Sequence, residues 1–330
     1  MTSGRTSYSG MGDHVHVSAL LHSFGELTVT GLAQGAIYAL FALGYTLVYG
    51  VLRLINFAHS EVFLVGSFAA VLTWNALGLQ LNSPTPGLAG VLGYLAVGLL
   101  AAVLVSGAAA LVLELLAYRP LRRRNAPPLA FLITAIGASV AASEAVGVAT
   151  GRVPHGMPRL VQPKEILHIG NTSITNLQVG ILALALVMMV ALDLFINRTR
   201  LGRGVRAVAQ DPSTAAMMGV NKDRVISLVF LLGGLMAGVA AVMYNLKIGA
   251  TRFDAGFALG VKAFTAAVLG GIGNLRGALL GGLLLGVVEN YGAGLFGTQW
   301  HDLVAFVLLV AILMFRPTGL LGEALGKARA

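Results

Sequence analysis

The strongest constraint on this chain is a series of apolar runs about as long as a bilayer is thick. A helix crossing roughly 30 Å of hydrocarbon needs about 20 mainly apolar residues. Seven such runs, each bounded by charge, Pro or polar clusters, cover residues 27–50, 56–77, 88–117, 128–149, 177–197, 225–247 and 301–316. Residues 257–295 are also apolar but are cut by Gly270, Gly271, Gly273, Gly277, Gly281 and Gly282, with Asn274 and Arg276 between them. That stretch reads as two short helices or a broken pair. Charged residues make up only 11% of the 330, whereas a soluble domain carries about 25%. The expected fold is therefore an all-α, polytopic transmembrane bundle of about eight to nine membrane segments.

The connections set the orientation. Residues 118–128 hold Arg119, Arg122, Arg123 and Arg124, and residues 197–224 hold Arg198, Arg200, Arg203, Arg206, Lys222 and Arg224. Basic connections stay in the cytoplasm. Propagating the spans outward puts fifteen Lys and Arg residues inside and five outside, with the N-terminus outside and the C-terminus cytoplasmic. The formal charge of +9 follows from this distribution. No soluble basic face with interleaved aromatics is present to bind nucleic acid. Residues 1–25 lack the compact apolar stretch of a cleaved signal peptide and are expected to be a disordered extension. The transmembrane body would run over 26–323, with a short tail at 324–330. The connection 150–176, with Pro154, Pro158 and Pro163 among polar residues, is an external loop that either docks a partner or is simply solvated.

Catalytic chemistry finds no support in the motifs. The chain has no Cys, so disulfides, cysteine-ligated metals and thiol catalysis are excluded. It also lacks an HExxH pair, a GxSxG elbow and a GxxxxGK[ST] nucleotide cradle. Three segments stand out instead. In Gly31 to Glu61, small residues at Gly31, Gly35, Ala39 and Ala42 permit close helix approach, and a polar cluster of Asn56, His59, Ser60 and Glu61 follows. Such groups either face an aqueous interior or cap an interfacial helix.

In the second segment, Leu201 to Arg224, Asp211 can cap a short helix, Pro212 suits its first position, and Gly219 can end it. Ala215, Met217 and Met218 lie on that helix, and a helix this short must pack on its own spans or on another protein. In the third, Gly260 to Gly282, glycine-interrupted apolar sequence suits a transport pathway; Gly270, Gly271 and Gly277 are its candidates. Lys262 requires a carboxylate, a carbonyl or water, or it snorkels to the outer interface. Glu114, Glu144, Asp193 and Glu289 read as interfacial or paired structural groups.

These motifs resemble the permeases of branched-chain amino acid ABC transporters, a family related to ribose-type sugar permeases. The likeness covers nearly all of residues 28–322. It rests on GLAQGAIYALFALGYTLVYGVLRLINFAHSE, GRGVRAVAQDPSTAAMMGVN, VKAFTAAVLGGIGNLRGALLGG and the closing FRPTGLLGE. Ser60 stands where the family usually has Gly. The resemblance implies a non-enzymatic transport subunit in a bacterial inner membrane. Its partners would be a second homologous permease, two cytoplasmic ABC ATPase subunits and an extracytoplasmic solute-binding protein. ATP and Mg would sit on the ATPase subunits, and this chain would carry no cofactor or metal. The resemblance also makes Asp211 to Val220 the coupling helix. Branched-chain amino acids are the usual cargo, with urea, amides or other amino acids as alternatives; an ion-coupled secondary transporter is the competing class.

Overall fold

The computed structural model describes residues 17–81, 83, 86–158, 160–169, 172–316 and 318–322. Long helices dominate: α1 (Val17–Leu52), α2 (His59–Ala76), α3 (Leu88–Leu113), α5 (Pro128–Ala149), α6 (Asn176–Arg198), α9 (Lys222–Ile248), α10 (Ala255–Gly270), α11 (Leu275–Phe296) and α12 (His301–Phe315). A π-helical turn, Glu114–Tyr118, joins α3 without a break to the short α4 (Arg119–Arg123). Among the described residues, seven helical segments are long and apolar enough to cross a membrane. At about 1.5 Å per residue, the 18 residues of α2 and the 16 of α10 reach roughly 27 and 24 Å. Residues 257–295 thus fall on two helices, α10 and α11, joined by the turn at 271–274.

Local sequence explains where the helices start and stop. Pro128 opens α5 at a position where its missing N–H costs nothing. Thr175 and Gln178 form a reciprocal capping box on α6. Asn221 and Asn274 cap α9 and α11 by accepting from Arg224 N–H and Gly277 N–H. Gly249, at φ 76°, stops α9 in the left-handed conformation.

The helices sort by burial into an inner and an outer set. In the apolar windows of α1 and α9, 83% and 72% of residues are buried, against 28% or less in α3, α5, α6 and α12. The outer helices carry exposed Leu, Ile, Val and Phe, such as Leu104, Ile133, Val187 and Phe306. That surface suits lipid or another apolar subunit rather than water. At the centre, α1 and α11 cross backbone to backbone. A Cβ added to Gly286 would lie 2.3 Å from Gly35 N, and one added to Gly35 would lie 2.5 Å from Gly282 O. Small residues are what permit this approach.

The two ends of the bundle differ in charge. At one, the basic end, α4 meets the start of α9, and the end of α1 meets the α10–α11 turn, with Gly50 against Gly273. The remaining cytoplasm-assigned segments are α7 (Arg200–Gln210) and α8 (Pro212–Met217); α8 packs against α9 and α7 against both α1 and α9. The opposite end gathers the other connections. Strand β1 (His155–Gly156) pairs with β4 (Ala250–Thr251), and β2 (Glu165–Ile169) pairs with β3 (Thr172–Thr175). The sequence reading of 150–176 as an external connection, either docking a partner or solvated, did not anticipate this hairpin. A second correction concerns the N-terminal extension: α1 begins at Val17, so residues 17–25 are helical and lengthen the first helix ahead of its membrane-crossing part, which starts at Phe24. Residues 1–16 and the tail 324–330 lie outside the described residues.

Candidate functional site

The first candidate region lies where α1 gives way to α2. Arg53 ends α1 with φ 53°, a conformation uncommon for a residue with a side chain. Residues 53–58 then carry the chain back so that α2 starts beside the middle of its neighbours. The His59 ring lies against Gly44 of α1 and Gly233 of α9, with Phe41 and Tyr45 at 5.2 and 4.9 Å between ring centres. Asn56, His59, Ser60 and Glu61 are all 1–3% exposed. Asn56 accepts a hydrogen bond from the Tyr118 hydroxyl at 2.9 Å. Glu61 Oε1 accepts from Ser60 and Ser139 at 3.1 and 3.0 Å, while Glu61 Oε2 and His59 Nε2 have no hydrogen-bond partner among the described residues. The first turn of a helix favours a carboxylate, so Glu61 is placed where the peptide dipoles help it. Gly256 and Gly260 of α10 leave room for Ser60, since a Cβ at Gly260 would lie 2.6 Å from that of Ser60.

A second region lies on the other side of α10. Lys262 pairs with Glu289 of α11 and with Asp302 of α12, the latter at 2.8 Å. Glu289 is 1% exposed, accepts from the Tyr38 hydroxyl at 2.7 Å and lies 3.3 Å from His301 Nδ1. Lys262 therefore meets carboxylates rather than snorkelling alone. A cavity of about 350 Å³ opens beside this cluster. Its walls include Gln34, Tyr38, Lys247, Lys262 and Glu289 together with the apolar Ile248 and Leu259. At the far end of α10, the turn into α11 is held by backbone contact. A Cβ on Gly270 would lie 1.9 Å from Gly277 O, one on Gly277 would lie 2.3 Å from Gly270 O, and Gly271 adopts φ 101° against Gly322. These glycines pack helices and shape a turn; they do not line the cavity.

The third region is the basic end. Asp211 caps α8 by accepting from the Ser213 and Thr214 N–H groups at 2.8 and 3.2 Å, and Pro212 takes the first helical position. Hydrogen bonds from the Ser213 and Thr214 hydroxyls, and after them these backbone bonds, hold the Asp211 carboxyl below the usual carboxylate range. Ala215 turns inward at 4% exposure, whereas Met217 and Met218 are 79% and 81% exposed. Gly219 follows at φ 85°. Beside α9, Glu114 in the π-helical turn is fully buried and binds Arg119 and Arg122 at 3.0 and 2.7 Å. Arg122 also reaches Asp223 at 3.0 Å, and Ser227 donates to Glu114 at 3.1 Å.

Comparison with known proteins decides the identity of this arrangement. Residues 27–313 match the family described as branched-chain amino acid transport system / permease component. The high-affinity branched-chain amino acid transport system permease protein BraD of Pseudomonas aeruginosa is 41% identical over 92% of this chain and 97% of its own length. The corresponding LivH protein of Escherichia coli is 40% identical over 91% and 96%. The chain belongs to this permease family. The fructose import permease FrcC of Rhizobium meliloti is 33% identical over 44% of the chain and 41% of its own length, which ties the family to sugar permeases.

Within the permease, the residues singled out from sequence do not form one site. Asn56, His59 and Glu61 cluster at the α2 N-terminus, and Lys262 faces the cavity. Gly270, Gly271 and Gly277 form the α10–α11 turn, and Asp211 to Gly219 lie at the basic end. Glu114, Glu144, Asp193 and Glu289 all have cationic partners: Arg119 and Arg122, Arg152, Arg276, and Lys262 respectively. Sequence reasoning did not place Tyr38, Lys247 or His301 at the cavity. The available signal was charge balance, because Lys247 and Lys262 each interrupt an apolar helix and need compensation.

Proposed function

We infer that this chain is the membrane-spanning permease subunit of an ATP-binding cassette importer for branched-chain amino acids in a bacterial inner membrane. The observation that carries this is the match to the permease family over residues 27–313, with BraD and LivH aligned over nearly their whole lengths. The basic end faces the cytoplasm, as the concentration of Arg and Lys there supports. In this reading the N-terminus is external and the C-terminus cytoplasmic.

ATP and Mg act on two cytoplasmic ATPase subunits, and α8 docks into them through its exposed Met217 and Met218. A second, homologous permease covers part of the exposed apolar surface. A solute-binding protein delivers cargo to the opposite end. Co-expression of the five components followed by reconstitution into liposomes tests the proposal. Uptake of leucine, isoleucine and valine is expected to require internal ATP and added binding protein. Uptake by the lone chain driven by an ion gradient, or the absence of ATP-driven uptake by the full assembly, overturns it.

A further inference from the structure

The cavity between α1, α9, α10 and α11 holds an arrangement that helix packing does not require. Two lysines face it, and they are held differently. Lys262 has two carboxylate partners, Glu289 and Asp302. Lys247, in the last turn of α9, has none among its described ion pairs; its Nζ donates to Gln34 Oε1 at 2.5 Å and approaches Thr30 O at 3.5 Å. A half-buried ammonium group held only by neutral oxygens retains unmet attraction for an anion. Glu289 lies across the same cavity. It shares Lys262 with Asp302, so Lys262 keeps an ion pair if Glu289 turns toward another cation.

Ile248, Ala255, Ala258 and Leu259 form an aliphatic side of the wall, and Tyr244, Asn290 and His301 complete the lining. The volume of about 350 Å³ falls within the usual range for small-molecule sites, about 300–1,000 Å³. Lys247 ends α9, and His301, which also lines the cavity, begins α12. Both positions belong to the end opposite the basic one.

We propose that this cavity binds a zwitterionic aliphatic amino acid, with Lys247 receiving its carboxylate, Glu289 its ammonium group, and the Ile248–Leu259 wall its side chain. This rests on the reading of the chain as an amino acid importer and assigns the residues that read the cargo inside the membrane. An uncharged cavity would pass an amide or alcohol as readily as an acid; a cation facing a carboxylate across an apolar wall selects the zwitterion.

The test uses the reconstituted full importer and two readouts. In the first, lysines are acetylated briefly with an amine-reactive ester, and Lys247 modification is measured by mass spectrometry relative to Lys222 at the basic end. Leucine at millimolar concentration is expected to protect Lys247 at least threefold. Leucinol, which consumes the reagent equally but lacks the carboxylate, is expected to leave it exposed. In the second, Lys247→Gln is expected to lower leucine uptake at least tenfold, with Lys247→Arg recovering most of it.

Failure of the wild-type assembly to import leucine refutes the functional reading beneath the proposal. Wild-type import with equal protection by leucine and leucinol, or with Lys247→Gln uptake within twofold of wild type, refutes the binding site alone. Loss of uptake in Lys247→Gln without leucine-specific protection assigns the lysine to the fold and also overturns the site.

Discussion

The close crossing of α1 and α11 permits a sharp test, because one substitution should have opposite effects at two glycines. In Gly286→Ala the new Cβ would lie 2.3 Å from Gly35 N and 2.4 Å from both Gly31 O and Gly35 Cα. Comfortable contacts between carbon atoms are about 3.5–4.0 Å, so the helices must move apart by roughly 1 Å. Backbone cannot rotate away as a side chain can. Overpacking of this kind costs about 1–3 kcal/mol. The loss should reach Glu289, one turn along, whose bond from Tyr38 spans the same crossing. Gly137 is the control: it is exposed on α5 with nothing within 4 Å of an added Cβ. Gly137→Ala should stabilise by about 0.5–1 kcal/mol, because a helix interior disfavours Gly. Thermal unfolding of both variants in one detergent, followed by helical circular dichroism, gives the comparison. Equal stability of Gly286→Ala and wild type, or equal damage from both changes, would refute the backbone-contact account.

Other expectations follow from the basic end. Asp211→Ala should loosen the start of α8 and weaken ATPase co-purification without reducing membrane insertion. Because hydrogen bonds depress the Asp211 pKa, the cap's contribution is complete above the ordinary carboxylate range and is lost only as pH falls through the lower folded value; ATPase association in a pH series from 7 to 5 should show no step from this group. Met217→Glu and Met218→Glu should differ in ATPase binding, since adjacent helical residues point about 100° apart; equal, unimpaired binding would remove the docking role. Glu114→Gln removes the fully buried carboxylate shared by Arg119 and Arg122, leaving Asp223 as the partner of Arg122, and should destabilise by about 3 kcal/mol. Glu144→Gln, in an exposed pair with Arg152, should cost less than about 1 kcal/mol. In this Cys-free chain, Arg124→Cys and Lys164→Cys should react with an impermeant thiol reagent from opposite sides of the membrane.

The elements legible in the sequence were those written in local patterns. Apolar runs located the membrane helices, because burial in hydrocarbon acts on every residue of a span. The Asp211–Pro212 start and Gly219 stop of α8 were equally local. Long-range pairing was not legible. Nothing near Lys262 in sequence points to Asp302 on α12, and nothing near Asn56 points to Tyr118. Helix α7 was missed because its inward residues, Gly202, Val205 and Val208, are few and lie among three arginines. The 165–175 hairpin was missed because prolines dominated the reading of that loop, and α1 was started too late because polar residues before Phe24 masked its first turns.

The meeting of α1 with α11 also bears on how the protein is made. Tyr38 and Glu289 are 251 residues apart in the chain, and Gly31 and Gly35 find their partners on the same late helix. At a synthesis rate of about 5–20 residues per second, the first helix enters the bilayer roughly 12–50 seconds before the segment it must touch exists. Through that interval its small-residue stripe faces lipid or borrowed contacts. Glu61 and Lys262, on two of the shorter helices, enter without the neighbours that later enclose them. The centre of this permease is therefore completed near the end of translation, and a ribosome stalled before residue 275 would leave the inserted helices without α11, the partner that α1 crosses backbone to backbone.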